Sequence, residues 1–296
     1  MKKTLITGVT GGLGSAVVEY LTASVGTNQI AVLVRDVNSA SAQQFMAQGL
    51  EVRVGDYNDK SSLIKAFDGI EQLYFVSSND LVSRHKQHEN VVRAAVEAKV
   101  QHILYTSTVR KNESADAPLY PVVSSHLQTE QWIKTSGITY TLLRHNLYAE
   151  VILMFAGDRA KIKETKSIYL PVSAGKVAFV ARRNFAEAAA NILMQATAHE
   201  NKIYTLSGSE KMNFETVAAH ISKTLGEAIA FMSPAVSEFE TTLQSAGVPQ
   251  AIIDLLSQFS QAIADGEFDD DSNDLELLLG RKTDGLADFI KSSYSN

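Results

Sequence analysis

Apolar, β-branched runs alternate with segments of helical period through the first half of this chain. Six of the runs predict strands, at Thr4–Thr7, Ile30–Val34, Glu51–Val54, Leu73–Val76, Ile103–Thr106 and Tyr140–Leu143. Between them the spacing predicts helices over Leu13–Thr22, Ser39–Gln48, Lys60–Phe67, Arg84–Ala98 and Ser124–Lys134. Strands and helices alternating at this length form right-handed βαβ units around a parallel sheet buried on both faces. The expected architecture is a doubly wound α/β sheet over residues 1–149. Such a sheet holds ligands outside the carboxyl ends of its strands, near the point where strand order reverses. Beyond Ala149 the alternation fades, although Lys202–Leu206 reads as one more strand returning to the sheet. Apolar positions at spacings of three and four predict helices over Phe214–Leu225, Val236–Gln244, Ala251–Ile263 and Leu286–Lys291. Residues 150–296 are therefore expected to be a smaller, mostly helical cap that carries the substrate side. Asp265–Glu276 holds seven carboxylates without the spacing of a calcium-binding hand, and reads as a solvated surface loop.

Composition narrows the partners. With 45% hydrophobic and 20% charged residues, the chain of 296 is that of an ordinary soluble globular protein. A net charge of −6 gives no field for a phosphate backbone, so nucleic acid is not an expected partner. The absence of cysteine removes disulfides, thiolate metal sites and thiol nucleophiles together. No apolar run reaches the ~20 residues of a membrane span, and Met1-Lys2-Lys3 leads into a run too short for a signal core. The expected compartment is cytoplasmic and the expected partner a small molecule, with no membrane and no metal; the oligomeric state is not readable. His85-x-x-His88-Glu89 lacks the metalloprotease spacing and a third ligand. No Gly-x-Ser-x-Gly elbow is present.

The sharpest local signal is Gly8-Val9-Thr10-Gly11-Gly12-Leu13-Gly14, which follows the first strand and opens the first helix. A diphosphate at a helix N-terminus needs bare backbone N–H groups, and a side chain at Gly11 would block its approach. Gly8 serves the tight turn, and Gly14 the close packing of helix on strand. No Gly-Lys-Ser/Thr closes the loop, which excludes a Walker-type phosphate site. The combination predicts a Rossmann-type dinucleotide site.

The tips of the later strands refine that site. Val34-Arg35-Asp36 ends the second strand. Arg35 at the tip suits the 2′-phosphate of NADPH, whereas a strand one residue longer would turn Asp36 toward the ribose of NADH. Gly55-Asp56-Tyr57 can flank the adenine with an acceptor and an aromatic face. Ser77-Ser78-Asn79 lies where the cofactor's ribose would pass. Short polar residues also end strands for ordinary turn reasons.

Together with Tyr105-Thr106-Ser107, Leu142-Leu143-Arg144, Tyr148-Ala149-Glu150 and Leu279-Gly280-Arg281, these residues resemble the atypical short-chain dehydrogenase/reductases of the NmrA-like group. The resemblance covers nearly the whole chain and is strongest to the bacterial NAD(P)H:quinone oxidoreductases, with triphenylmethane-dye reductases as neighbours. It implies hydride transfer from NADPH to a quinone-like acceptor without flavin or metal. A non-catalytic NAD(P)-sensing regulator and, more weakly, a sugar-nucleotide epimerase are the alternatives. Ordinary short-chain dehydrogenases carry Tyr-x-x-x-Lys, and none of the ten tyrosines here has a lysine at that offset. The corresponding helix has His126 and Glu130 instead. Hydride addition to a quinone gives a phenolate of pKa ~10, which needs little acid. Candidates around the acceptor are His126, either as a neutral donor or on an exposed helix turn, and Asn146 and Tyr148 beyond the sixth strand. Asn146 is also a candidate to orient the nicotinamide and Tyr148 to stack on substrate. By resemblance alone, Pro171–Lys176 forms a loop over the nicotinamide.

Overall fold

The computed structural model describes residues 1–295. The first half alternates as β1 (Thr4–Ile6), α1 (Gly12–Val25), β2 (Ile30–Val34), α2 (Ala40–Ala47), β3 (Glu51–Val54), α3 (Lys60–Phe67), β4 (Gln72–Phe75), α4 (Arg84–Glu97), β5 (His102–Thr108), α5 (Tyr120–Thr135) and β6 (Thr139–His145). The second half runs α6 (Ile152–Ala156), α7 (Arg159–Thr165), β7 (Ser167–Tyr169), β8 (Lys176–Val177), α8 (Arg182–Met194), β9 (Lys202–Leu206), β10 (Met212–Asn213), α9 (Phe214–Leu225), β11 (Ala230–Met232), α10 (Val236–Ser245), α11 (Gln250–Ala264), α12 (Asp274–Leu279) and α13 (Leu286–Ser295).

Seven strands form one parallel sheet in the order β3-β2-β1-β4-β5-β6-β9. This is the doubly wound, Rossmann-type architecture. Order reverses between β1 and β4, so the turn after β1 and the loop after β4 leave the sheet side by side and open a crevice there. Strands β1, β2 and β4 are buried throughout, as a sheet covered on both faces requires. Apolar faces of α1, α2 and α8 cover one side, and those of α3, α4 and α5 the other. A third apolar cluster joins Phe155, Phe179, Phe214, Phe239 and Phe268 to Val109, Leu119 and Val123, seating the second-half elements on the loop between β5 and α5.

Several elements depart from their sequence-based bounds. Strands β5 and β6 each run seven residues because they pair with each other along their full length. Helix α5 starts four residues earlier than its spacing suggests, with Pro121 in the first turn, where no amide donor is missed. Helix α8 is absent from the helices expected above, although its buried positions Phe185, Ala188, Ala189, Ile192 and Leu193 repeat at spacings of three and four. It is sandwiched between α1 and α12, and buries Ala186, Ala188, Ala189 and Ala190. Through α8 and β9, residues 182–206 complete the sheet's own layer.

The expectation of a solvated loop over Asp265–Glu276 is overturned. Phe268 is buried, and its carbonyl accepts from the Ala178 N–H and the Asn146 amide, both at 3.1 Å. The Glu267 carboxylate accepts the Lys111 and Asn112 N–H groups, Asp270 the Ser207 hydroxyl, and Asp274 the Thr205 N–H. Glu267 and Asp274 terminate backbone donors and Asp270 a hydroxyl at the sheet's carboxyl edge, making the segment a strap. Among the described residues no helix is long and apolar enough to cross a membrane.

Candidate functional site

The glycine turn stands at the crevice. Gly8 has φ 65°, in the left-handed region, and a Cβ there would lie 2.8 Å from Val76 Cβ on the adjacent β4 exit. A Cβ on Gly14 would lie 2.6 Å from the Gly8 carbonyl carbon and 2.8 Å from the Thr7 oxygen, so α1 approaches β1 only with glycine there. Gly11 differs, since its added Cβ would meet one atom, the Gly8 oxygen, at 3.4 Å. Its bareness serves the open side. Gly11 is the N-cap of α1 and supplies no side-chain cap, and the amides of Gly12, Leu13 and Gly14 find no acceptor among the described residues. Val9 and Leu13 pack inward beneath the loop and Thr10 faces solvent. Uncommitted first-turn amides at the positive end of a helix are a cradle for a diphosphate.

At the tip of β2, Arg35 is exposed and makes no ion pair or side-chain hydrogen bond among the described residues. Asp36 is committed. Its carboxylate accepts the Asn38 N–H at 2.8 Å and its carbonyl accepts the Ser39 hydroxyl and N–H, a turn that leads into the Ser39 cap of α2. Asp56 makes the equivalent turn after β3, accepting the Asn58 N–H.

Tyr57 takes a different part from the expected adenine platform. Its hydroxyl lies 2.6 Å from Thr7 Oγ1 and 2.9 Å from the Val76 carbonyl, and its ring packs edge-on to Phe75. The phenol ties the exits of β1 and β4 together, and burial raises its pKa. The loop after β4 is likewise pinned: the Ser77 N–H donates to Thr106 Oγ1 and the Ser78 N–H to His88 Nε2. Asn79 is exposed.

Behind that loop lies a buried polar chain whose proton positions follow from its two ends. The Ser78 amide donates to His88 Nε2, so that neutral ring carries its proton on Nδ1 and donates to Thr129 Oγ1 at 2.8 Å. Thr129 passes its own proton to the Ser125 carbonyl, 2.6 Å away. At the other end Arg84, which is only a donor, faces His126 Nε2 at 3.4 Å and donates Nε–H to the Ser78 carbonyl. His126 therefore carries its proton on Nδ1, directed at the Tyr105 hydroxyl 2.8 Å away, and that hydroxyl also lies 3.4 Å from His88 Nδ1. Burial first, then the Arg84 charge, hold both imidazoles neutral: His88 falls to about 3, and His126 lies well below its ordinary value.

Both readings of His126 are corrected by this chain. The ring is 5% exposed, not on a solvated turn, and both nitrogens have interior partners, so no N–H is left for an acceptor. His88 is equally unavailable to a metal, and no group of three or more His, Cys, Asp or Glu among the described residues could hold one. Glu130, one turn after His126, faces elsewhere. It accepts from Arg110 (2.9 Å), Arg144 (2.8 Å) and Ser107 (2.6 Å). Burial alone would raise its pKa, but the Arg110 and Arg144 contacts outweigh that and hold it far below the carboxylate range.

Asn146 is 2% exposed. Its amide donates to Ser207 and the Phe268 carbonyl and its oxygen accepts the Leu147 N–H, so it latches the strap and reaches no ligand directly. Tyr148 is half-buried, with its hydroxyl 3.2 Å from His145 Nδ1 and its ring boxed between the Phe185 edge and the Arg182 guanidinium, 4.8 Å from the centroid. Burial pushes its pKa up to about 12. The expected stacking face is thus occupied by an arginine. Of the expected loop Pro171–Lys176, residues 171–175 lie between β7 and β8, with Ser173 at φ 50°, and Lys176 opens β8.

The model of the NmrA-like family matches residues 1–290. The chain belongs to the NmrA-like family. Quinone oxidoreductase 2 of Escherichia coli is 35% identical over 98% of both chains. The crystal structure of the E. coli NADPH-dependent quinone oxidoreductase complexed with NADPH superposes with a TM-score of 0.89 over 98% of this chain and 99% of that one, at 34% identity. The triphenylmethane reductase of a Citrobacter species does so with a TM-score of 0.89 at 34% identity, over 99% and 100%. Within this NmrA-like chain, three residues at the site escaped sequence reasoning: Arg84, Glu130's partner Arg110, and Arg182. Each is an arginine on a helix end or loop, and only the partner across the fold distinguishes it from a solvated cation.

Proposed function

We propose that the chain is an NADPH-dependent reductase that delivers hydride to a flat, quinone-like acceptor. The observation that carries this reading is the division of labour at the crevice. Uncommitted α1 amides and a bare Gly11 face the diphosphate position, and Arg35 waits unpaired at the β2 tip while Asp36 is used in its own turn. A dianionic 2′-phosphate favours the free guanidinium over a carboxylate. Bound NADPH would supply the hydride; Gly8–Gly14 would hold its diphosphate, Arg35 its 2′-phosphate and the loop 77–79 its ribose.

The α5 positions that correspond to a tyrosine–lysine pair hold His126 and Glu130, and neither has a proton free for an acceptor, the Nδ1–H of His126 being directed at Tyr105. One is a neutral acceptor toward Arg84, and the other an ionised carboxylate inside two arginines. An alkoxide product would lack its acid there, whereas a phenolate of pKa ~10 needs none. Both solved relatives, a quinone reductase and a dye reductase by name, agree with an acceptor of this kind.

The test is NADPH oxidation followed at its near-ultraviolet absorbance across a panel of quinones and cationic dyes. Acceptor-dependent turnover is expected with at least one small quinone. Binding of NADPH with no turnover on any acceptor would refute the reading in favour of a dinucleotide sensor.

A further inference from the structure

Helix α4 packs between α3 and α5, yet much of its inward face is polar. Arg84, Gln87, His88 and Asn90 recur there at spacings of three and four, and all are buried. Apolar residues would hold the helix in place at less cost, because each of these groups gives up water on folding. Arg84 is the extreme case. Among the described residues its guanidinium pairs with no carboxylate; its partners are the Ser78 carbonyl, 2.6 Å from Nε, and His126 Nε2. Asp80 uses one oxygen on the Val82 and Ser83 N–H groups and turns the other toward Gln87. A buried charge without a counter-charge is costly, so what it holds matters.

What this face holds is the loops beside the crevice. Asn90 donates to the Tyr57 carbonyl at 2.9 Å, and the Gln87 amide to Asn58 and Asp80 at 3.2 and 3.4 Å. The firmest grip is on Ser78, whose N–H donates to His88 Nε2 at 2.9 Å while its carbonyl accepts from Arg84. One residue earlier, the Ser77 N–H donates to Thr106 Oγ1 at 2.8 Å. Each peptide plane from residue 76 to residue 79 is thus fixed by a buried side chain, where a surface loop is ordinarily hydrated and mobile. Such rigidity serves a step that fails when its reactants shift slightly. Hydride transfer is one, since a misplacement of ~1 Å can cost ~10²-fold in rate. We propose that Arg84 and His88 are positioning residues for hydride transfer, holding loop 77–79 so that the cofactor's ribose, and the nicotinamide beyond it, stands at attack distance from the acceptor. The proposal rests on the reductase reading, with that loop at the ribose. Both side chains act through the Ser78 peptide groups, since their other contacts, His126 and Thr129, lie in the interior.

The experiment measures the single-turnover rate of NADPH oxidation by a small quinone, and the equilibrium affinity for NADPH, in the full-length protein and its His88→Leu, His88→Gln and Arg84→Met variants. Leucine leaves the Ser78 N–H without an acceptor, whereas glutamine can accept it with its amide oxygen and donate to Thr129. Thr106→Val keeps the side chain's shape and removes the acceptor of the Ser77 N–H; it covers the case in which the other variants do not fold. His88→Leu and Arg84→Met should lower the single-turnover rate by about ten- to a hundredfold, with NADPH affinity kept within about fivefold. His88→Gln should recover most of the rate. A role in stability alone would lower the melting temperature and leave the rate of the folded protein where it was. A folded His88→Leu variant, or Thr106→Val in its place, with a rate within about threefold of the parent would overturn the proposal, as would a loss confined to NADPH affinity. An unmodified protein that binds NADPH and reduces no acceptor would overturn the reductase reading itself, and this proposal with it.

Discussion

Replacing His126 by alanine is expected to weaken the fold while sparing the chemistry. The imidazole is the link between Arg84 and Tyr105, both buried, and its removal leaves a guanidinium N–H and a phenol oxygen without partners. Each unsatisfied buried group costs ~1–3 kcal/mol. The void left by the ring adds to this, so a loss of about 2–5 kcal/mol is expected against a typical domain stability of ~5–15 kcal/mol. His126→Gln should recover much of it, since its amide oxygen can accept from Arg84 while its NH₂ donates to Tyr105. Turnover behaves differently. The ring has no proton directed at an acceptor, so NADPH oxidation with one quinone should fall by less than tenfold, well short of the ~10²–10⁴ a general acid contributes. The assays are urea unfolding of both variants and initial rates from pH 5 to 9 under conditions where each remains folded. A stable His126→Ala variant that loses a thousandfold in rate, with the acid limb of its pH profile gone, would refute the proton assignment.

The glycines should separate by function: Gly14→Ala forces a Cβ onto the Gly8 backbone and should lower stability by ~1–3 kcal/mol or more, whereas Gly11→Val should melt like the parent and lose dinucleotide binding. Arg35→Ala should weaken NADPH roughly tenfold to over a hundredfold with NADH nearly unchanged, and equal loss for both would return the 2′-position to Asp36. His88 and His145, lowered to about 3, and His102, lowered to about 4, stay neutral in the folded chain while the unfolded chain protonates near pH 6.5. Their contribution is complete above pH 6.5 and is lost on acidification toward pH 4, by ~1.4 kcal/mol per pH unit for each. Glu130, depressed, acts in the same direction at lower pH. Melting temperatures should therefore fall steadily from pH 6.5 to 4, and a flat profile would contradict the buried, neutral assignments.

What the sequence determined by itself is what near neighbours dictate. The strands and helices of residues 4–143 follow from period and β-branching, since a sheet buried on both faces demands continuous apolar runs. The Gly8–Gly14 turn is legible because its requirements, a left-handed residue and a side-chain-free approach, concern seven consecutive residues. Arg35 at a strand tip is legible for the same reason. Tertiary structure decided every question of who faces whom. His126 and Asn146 looked available because polarity is visible in sequence and partners are not; the first is consumed by Arg84 and Tyr105, the second by Ser207 and Phe268. Seven carboxylates read as a solvated loop because their charge is local, while the amides and the Ser207 hydroxyl that three of them, Glu267, Asp270 and Asp274, terminate come from segments as far as 156 residues away. Helix α8 repeats its apolar positions at spacings of three and four, at Phe185, Ala188, Ala189, Ile192 and Leu193, yet which helices those positions meet is set only by the fold. Its first residue, Arg182, comes beside Gly12 only through the packing of α8 on α1. Periodicity reports one face of one element, and a site in a doubly wound sheet is assembled where several elements end.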